Sequence, residues 1–246
     1  MGDSRIVVLP DAEALAREAA RRFQRLAIQA VAERGRFSAA LSGGSTPGAL
    51  YRLLAGEPHG EQIPWERVHL FWGDERCVPP DDPGSNYRLA HEMLISRVPI
   101  PPGNVHRVRG ELQPEAAAGD YADALRVFFD APWPRFDLIL LGLGADGHTA
   151  SLFPGSDALA ERERAVVATT AQYEDRPTHR VTLTLPALNA ARQVLFLVRE
   201  ATKAEIVQSV LQGGEERYPA QRVRPVEGGL TWLLDAAAAS RLGRQS

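Results

Sequence analysis

The segment Phe136 to Leu141 reads Phe-Asp-Leu-Ile-Leu-Leu and stops at Gly142. Apart from Asp137 it is apolar, without the period-two alternation of a strand that faces water on one side. The pattern predicts a strand covered on both faces, as in a parallel sheet flanked by helices. The rest of the chain repeats the unit. Phe37 to Leu41, Val68 to Trp72, Ala165 to Thr169, Arg180 to Leu185, Val194 to Val198 and Thr231 to Leu234 read as further strands. Between them lie helical patterns. Asp11 to Glu33 places Leu15, Ala19, Phe23, Leu26 and Ala30 at threes and fours. Thr46 and Pro47 look like the N-cap and first residue of a helix reaching Ala55. Tyr87 to Ser96, Glu115 to Phe129, Thr202 to Leu211 and an Ala-rich stretch from Asp235 complete the set. The expected fold is α/β, with a parallel or mostly parallel sheet between helices. With no fixed-period repeat and no low-complexity linker, one domain over residues 1–246 is expected.

Composition narrows the class. The 246 residues carry a formal net charge of −3, so no nucleic-acid or anionic-membrane partner is indicated. No apolar stretch approaches the ~18 residues needed to span a bilayer. The run Ile6 to Leu9 is too short for a signal-peptide core. A single cysteine, Cys77, precludes an intramolecular disulfide and fits a reducing compartment. A cytoplasmic globular protein is the expectation. None of the six histidines pairs with another at ligand spacing and there is no cysteine pair, so no metal is expected.

In open α/β sheets ligands bind outside the carboxyl ends of the strands. The loops after Leu41, Trp72, Leu141 and Val198 are therefore the ones to inspect. Ser42-Gly43-Gly44-Ser45-Thr46-Pro47 follows a strand and opens a helix. Two glycines, a helix N-terminus and three hydroxyls fit it for an anion cradle, the alternative being a tight turn followed by a helix cap. It lacks the lysine of a nucleotide P-loop. Gly142-Leu143-Gly144-Ala145-Asp146-Gly147 matches a dinucleotide fingerprint, but Pro154 and Gly155 interrupt any helix behind it, and no acidic residue closes the next apolar run. More telling, Asp146 and His148 share that loop. A histidine with a nearby carboxylate suits general-base work near neutral pH. In Gly73-Asp74-Glu75-Arg76, Arg76 is placed either to pair with its acidic neighbours or to hold an anionic substrate. Lys203, at the start of a helix, opposes the helix dipole, a cost that a shared anion would offset, the alternative being a solvent-exposed lysine. Arg180, at the start of a strand, is a further basic candidate.

Together these segments resemble the glucosamine-6-phosphate isomerase/6-phosphogluconolactonase family. The matching stretches are Leu41 to Pro47, Phe71 to Pro79, Ser85-Asn86-Tyr87, Phe136 to Pro154, Arg180 to Pro186, Lys203-Ala204 and Pro219-Ala220-Gln221. The second stretch separates the branches. Asp-Glu-Arg followed by Val-Pro is similar to the lactonase form, whereas the deaminase branch has Asp-Glu-Tyr. In one departure, Glu200 stands where family members often have glycine.

The resemblance implies a three-layer, Rossmann-like α/β/α sandwich and a carboxylic ester hydrolase of the oxidative pentose phosphate pathway that needs no cofactor. The implied substrate is 6-phospho-D-glucono-1,5-lactone. His148, Asp146 and Arg76 are the implied catalytic residues. Ser42, Gly43, Gly44, Ser45, Thr46, Asp74, Asn86, Arg180 and Lys203 are the implied substrate and phosphate ligands. The state expected is a monomer or weak homodimer. The rivals are a glucosamine-6-phosphate deaminase and a non-catalytic sugar-phosphate-binding protein. The segment from Gly73 to Ser85 is a candidate lid.

Overall fold

The computed structural model describes residues 4–171, 177–214 and 216–243. Strands are β1 (Ser4–Leu9), β2 (Phe37–Leu41), β3 (Val68–Trp72), β4 (Asp74–Arg76), β5 (Leu138–Leu141), β6 (Val166–Thr170), β7 (His179–Leu183), β8 (Gln193–Val198) and β9 (Gly229–Asp235). Helices are α1 (Ala12–Arg34), α2 (Ser45–Ala55), α3 (His59–Gln62), α4 (Asn86–Met93), α5 (Pro114–Phe129), α6 (Leu185–Asn189) and α7 (Ala204–Gln212). Six strands form one parallel sheet in the order β1-β9-β8-β5-β2-β3. All five residues of β2 and all four of β5 are buried, as strands covered by helices on both faces require. Aromatic side chains fill the layers, among them Phe23 against Phe37 and Phe196 stacked on Trp232. Among the described residues no helix is long and apolar enough to cross a membrane.

A second sheet escapes the alternation rule. β4, β7 and β6 form a three-stranded antiparallel unit, so the predicted strands around Ala165 and Arg180 do not join the main sheet. It grows from the top of β3. Gly73 N–H donates to Leu41 O at 2.8 Å, and Gly73 O accepts from Leu183 N–H at 2.8 Å. One continuous core of buried side chains links the two sheets.

Three local expectations are corrected. Thr46 is not an N-cap. Gly44 holds that position at φ +102°, where no side chain caps the helix. Thr202 does not open a helix either. Ala201–Lys203 is a single 3₁₀ turn, and Lys203 is the cap of α7. The Ala-rich stretch after Asp235 forms turns, not a helix. Asp235 instead spends its carboxylate on the N–H groups of Ala238 and Glu200.

The topology fixes where a ligand can sit. From β2 the chain moves outward to β3, and from β5 it moves the other way to β8. The reversal between β2 and β5 opens a crevice at their carboxyl ends. The loops at 42–46, 142–148 and 199–203 share that edge.

Candidate active site

The β2 loop is built around glycine. A Cβ on Gly43 would fall 1.9 Å from Asn86 Oδ1, so only glycine lets the loop pack on α4. Gly48 N–H makes the first bond inside α2, to Gly44 O at 3.1 Å. The amides of Ser45 and Thr46 therefore precede that first bond at the positive end of α2. Ser42 Oγ is buried with no hydrogen-bond partner among the described residues.

Asn86 is set by the loop above it. Its Nδ2 donates to Asp74 O at 2.9 Å. Asp74 Oδ2 accepts from Ser151 Oγ at 2.6 Å, which ties the loop after β3 to the loop after β5. Ser151 N–H donates to Thr182 Oγ1 at 3.2 Å, and Thr182 lies opposite Asp74 in the β4–β7 register. Asn86 is thus brought beside Gly43, with Asp74 behind it.

Glu75 was not singled out from the sequence, yet it organises this loop. It is 2% exposed and accepts from the N–H groups of Arg76, Asn86 and Tyr87, each at 2.7 Å, and from Ser85 Oγ at 3.1 Å. Burial pushes its carboxyl up, against the pull of the three backbone bonds. With Ser85 capping α4 and β4 paired to β7, the segment from Gly73 to Ser85 is pinned at both ends.

Arg76 and Arg180 face each other across β4 and β7. Arg76 Nη1 donates to Gly84 O, and its Nε is buried without a partner among the described residues. Arg180 is 4% exposed and donates from Nε to Pro177 O at 3.0 Å. Directly opposed like charges repel, so the register brings two cations together at a cost. Arg76 does not ion-pair with Asp74 or Glu75, the bland alternative for it. Burial and Glu75 push the Cys77 thiol up to about 11, which disfavours the thiolate near neutral pH.

The loop after β5 turns sharply. Gly147 sits at φ +78°, and its carbonyl accepts from Ala220 N–H at 3.1 Å, anchoring the loop on the 3₁₀ turn Pro219–Arg222. A Cβ on Gly144 would lie 2.0 Å from His148 Nδ1, so the glycine makes room for the imidazole. His148 Nδ1 is 2.5 Å from Asp146 Oδ1, and the His148 ring packs 4.8 Å from that of Phe153. A carboxylate only accepts, so this bond places the proton on Nδ1 and leaves Nε2 with a lone pair. Burial pushes the Asp146 carboxyl upward, but the bonds donated by His148, and its charge once the ring is protonated, outweigh it and hold it below its ordinary value. Asp146, Phe153 and Thr169 line an open cavity of about 600 Å³. A groove of about 650 Å³ at the opposite ends of the strands, beside Trp133 and Asn189, contains none of these groups.

Lys203 stands in the turn after β8, on the crevice edge. A second basic group there was missed. Arg199 reaches across to Ser45 and Thr46 of the β2 loop. Among the described residues no cluster of three or more His, Cys, Asp or Glu could hold a metal ion.

A family model described as glucosamine-6-phosphate isomerases/6-phosphogluconolactonase matches residues 10–232. The chain belongs to this family. It is 40% identical over 243 residues to the 6-phosphogluconolactonase of Nostoc sp., covering 96% of this chain and 98% of that protein. It is 44% identical over 222 residues to the 6-phosphogluconolactonase of Rattus norvegicus, covering 89% and 86%. The solved 6-phosphogluconolactonase of Trypanosoma cruzi superposes with a TM-score of 0.87 at 30% identity, covering 98% of both chains.

Proposed function

We propose that this protein is a carboxylic ester hydrolase that opens 6-phospho-D-glucono-1,5-lactone to 6-phospho-D-gluconate. The observation that carries the mechanism is the Asp146–His148 pair at the carboxyl edge of the sheet. His148 Nε2 takes a proton from water as its oxygen attacks C1 of the lactone. The carbonyl oxygen becomes an oxyanion. When the tetrahedral adduct collapses, the C1–ring oxygen bond breaks and the imidazolium returns the proton to the departing oxygen. Asp146 holds Nδ1–H and stabilises the charged ring. Arg76 and Arg180 supply positive charge for the developing oxyanion or for the substrate's own anion. The phosphate rests on the cradle of Ser42, Gly43, Gly44, Ser45 and Thr46, with Lys203 at its edge. Asp74 and Asn86 hold the cradle's outer wall and face the sugar.

A lactone is an activated ester, so one positioned base with charge stabilisation suffices. The scheme draws on no cofactor or metal. Arg76 after Asp74 and Glu75 favours the lactonase over the deaminase, and retention of both His148 and Asp146 favours an enzyme over a mere binder. We further place the protein in the cytoplasm as one domain over residues 1–246, supported by its single cysteine and continuous core. A monomer or weak homodimer is supported by the small number of large apolar residues exposed among the described residues, Val8, Ile28, Val127 and Val226. The test offers freshly made 6-phosphogluconolactone and glucosamine 6-phosphate in parallel. Acid release from the first, beyond its spontaneous ring opening, supports the reading, and ammonia release from the second alone overturns it.

A further inference from the structure

Arg199 is the first residue beyond β8. Its Nε donates to Thr46 Oγ1 at 3.0 Å and its Nη2 to Ser45 Oγ at 2.8 Å, bridging two adjacent hydroxyls of the β2 loop with one planar group. The same Nη2 lies 3.2 Å from Glu200 Oε1. A cation held at the N-terminus of an α-helix is opposed by the helix dipole. The first turn of α2 contains no acidic residue to offset it. Glu200 faces a constraint of its own, a φ of +83°, where side chains other than glycine are strained. Near the same loop, Ser42 Oγ is buried and unpartnered among the described residues. A guanidinium, a helix N-terminus and an orphaned hydroxyl on one edge together suit a bound anion.

We propose that Arg199 is a phosphate-binding residue of this chain, oriented by Glu200, that sets its selectivity for phosphorylated over unphosphorylated lactones. The inference rests on the reading of the β2 loop as the phosphate cradle. The chemistry follows from what a hydroxyl does. Ser45 and Thr46 each accept from Arg199, so each directs its own proton elsewhere, and a phosphate monoester dianion receives both. Arg199 then adds charge and its remaining N–H groups to the same oxygens. Lysine cannot reproduce this, because one ammonium lacks the planar fork that spans two hydroxyls.

The experiment measures inorganic phosphate binding by calorimetry for wild type, Arg199→Met and Arg199→Lys. It is paired with steady-state kinetics on 6-phosphogluconolactone and on unphosphorylated glucono-1,5-lactone. Arg199→Met is expected to weaken phosphate binding about tenfold or more, the scale of a lost charge-assisted hydrogen bond. It should also lower the preference for the phosphorylated lactone by a similar factor, chiefly through KM. Arg199→Lys should fall between. Unchanged phosphate affinity in folded Arg199→Met overturns the proposal. If that variant does not fold, wild-type affinity in Arg199→Lys does the same. Arg199-dependent phosphate binding by a wild type that accelerates neither lactone would sustain the Arg199 site and remove the lactonase reading instead.

Discussion

Asp146 Oδ1 accepts twice from His148, from ring Nδ1 at 2.5 Å and from the backbone N–H at 3.1 Å. The two bonds fix the ring's position and its tautomer together. Asp146→Asn keeps the size of the side chain but offers an amide whose flipped N–H₂ stabilises the wrong tautomer. We expect kcat to fall about 10²- to 10⁴-fold with KM changed much less. A variant within threefold of wild-type kcat would show that the carboxylate does not orient the base.

Gly43 and Asn86 are matched in the same way. Gly43→Ala puts a methyl group where Asn86 Oδ1 stands, 1.9 Å from the ideal Cβ position. Moving Asn86 disturbs its bond to Asp74 O and, through Asp74, the contact with Ser151. The expected cost is about 1–3 kcal/mol of stability with a raised KM. Chemical denaturation and steady-state kinetics on one preparation check both.

Glu200→Gly relieves the backbone at φ +83° while keeping the N–H bonds to Asp235. Relief should exceed the entropic cost of glycine, giving a net gain of about 1 kcal/mol and a Tm higher by ~2–4 °C. A lower Tm would mean that the Arg199–Glu200 ion pair outweighs the strain.

His69 and His106 predict a pH dependence away from the site. Their rings stack with Nδ1 of His69 3.3 Å from Nε2 of His106, beside Phe71 and Phe128. Burial, then the charges of His106 and Arg36, lower His69 to about 4, and burial lowers His106. Between that value and the ordinary 6.5 the unfolded chain binds more protons than the folded one, so stability falls as pH drops through this window. His69→Phe should flatten that slope in urea titrations from pH 7 to 4. An unchanged slope would place the acid sensitivity elsewhere.

Much of this was legible because buried parallel strands write themselves as unbroken apolar runs. Phe37–Leu41 and Val68–Trp72 match their predicted bounds. Asp146 and His148 were legible because they lie two residues apart in one loop. β4 was not, because Asp74-Glu75-Arg76 reads as polar loop and its burial comes from pairing with β7. The Ala-rich stretch after Asp235 misled because helix propensity alone does not sustain a helix without a packed face. Arg199 was hidden by distance along the chain, its partners Ser45 and Thr46 lying 154 and 153 residues away. Glu75 was hidden because a carboxylate buried by backbone N–H groups looks in sequence like any surface acid.

The most direct test follows hydrolysis of freshly generated 6-phosphogluconolactone by wild type and His148→Ala side by side, with spontaneous ring opening subtracted. The account predicts clear acceleration by wild type and a loss of about 10²- to 10⁴-fold in kcat for the folded variant. Near wild-type turnover by His148→Ala, or no acceleration by wild type, would contradict it.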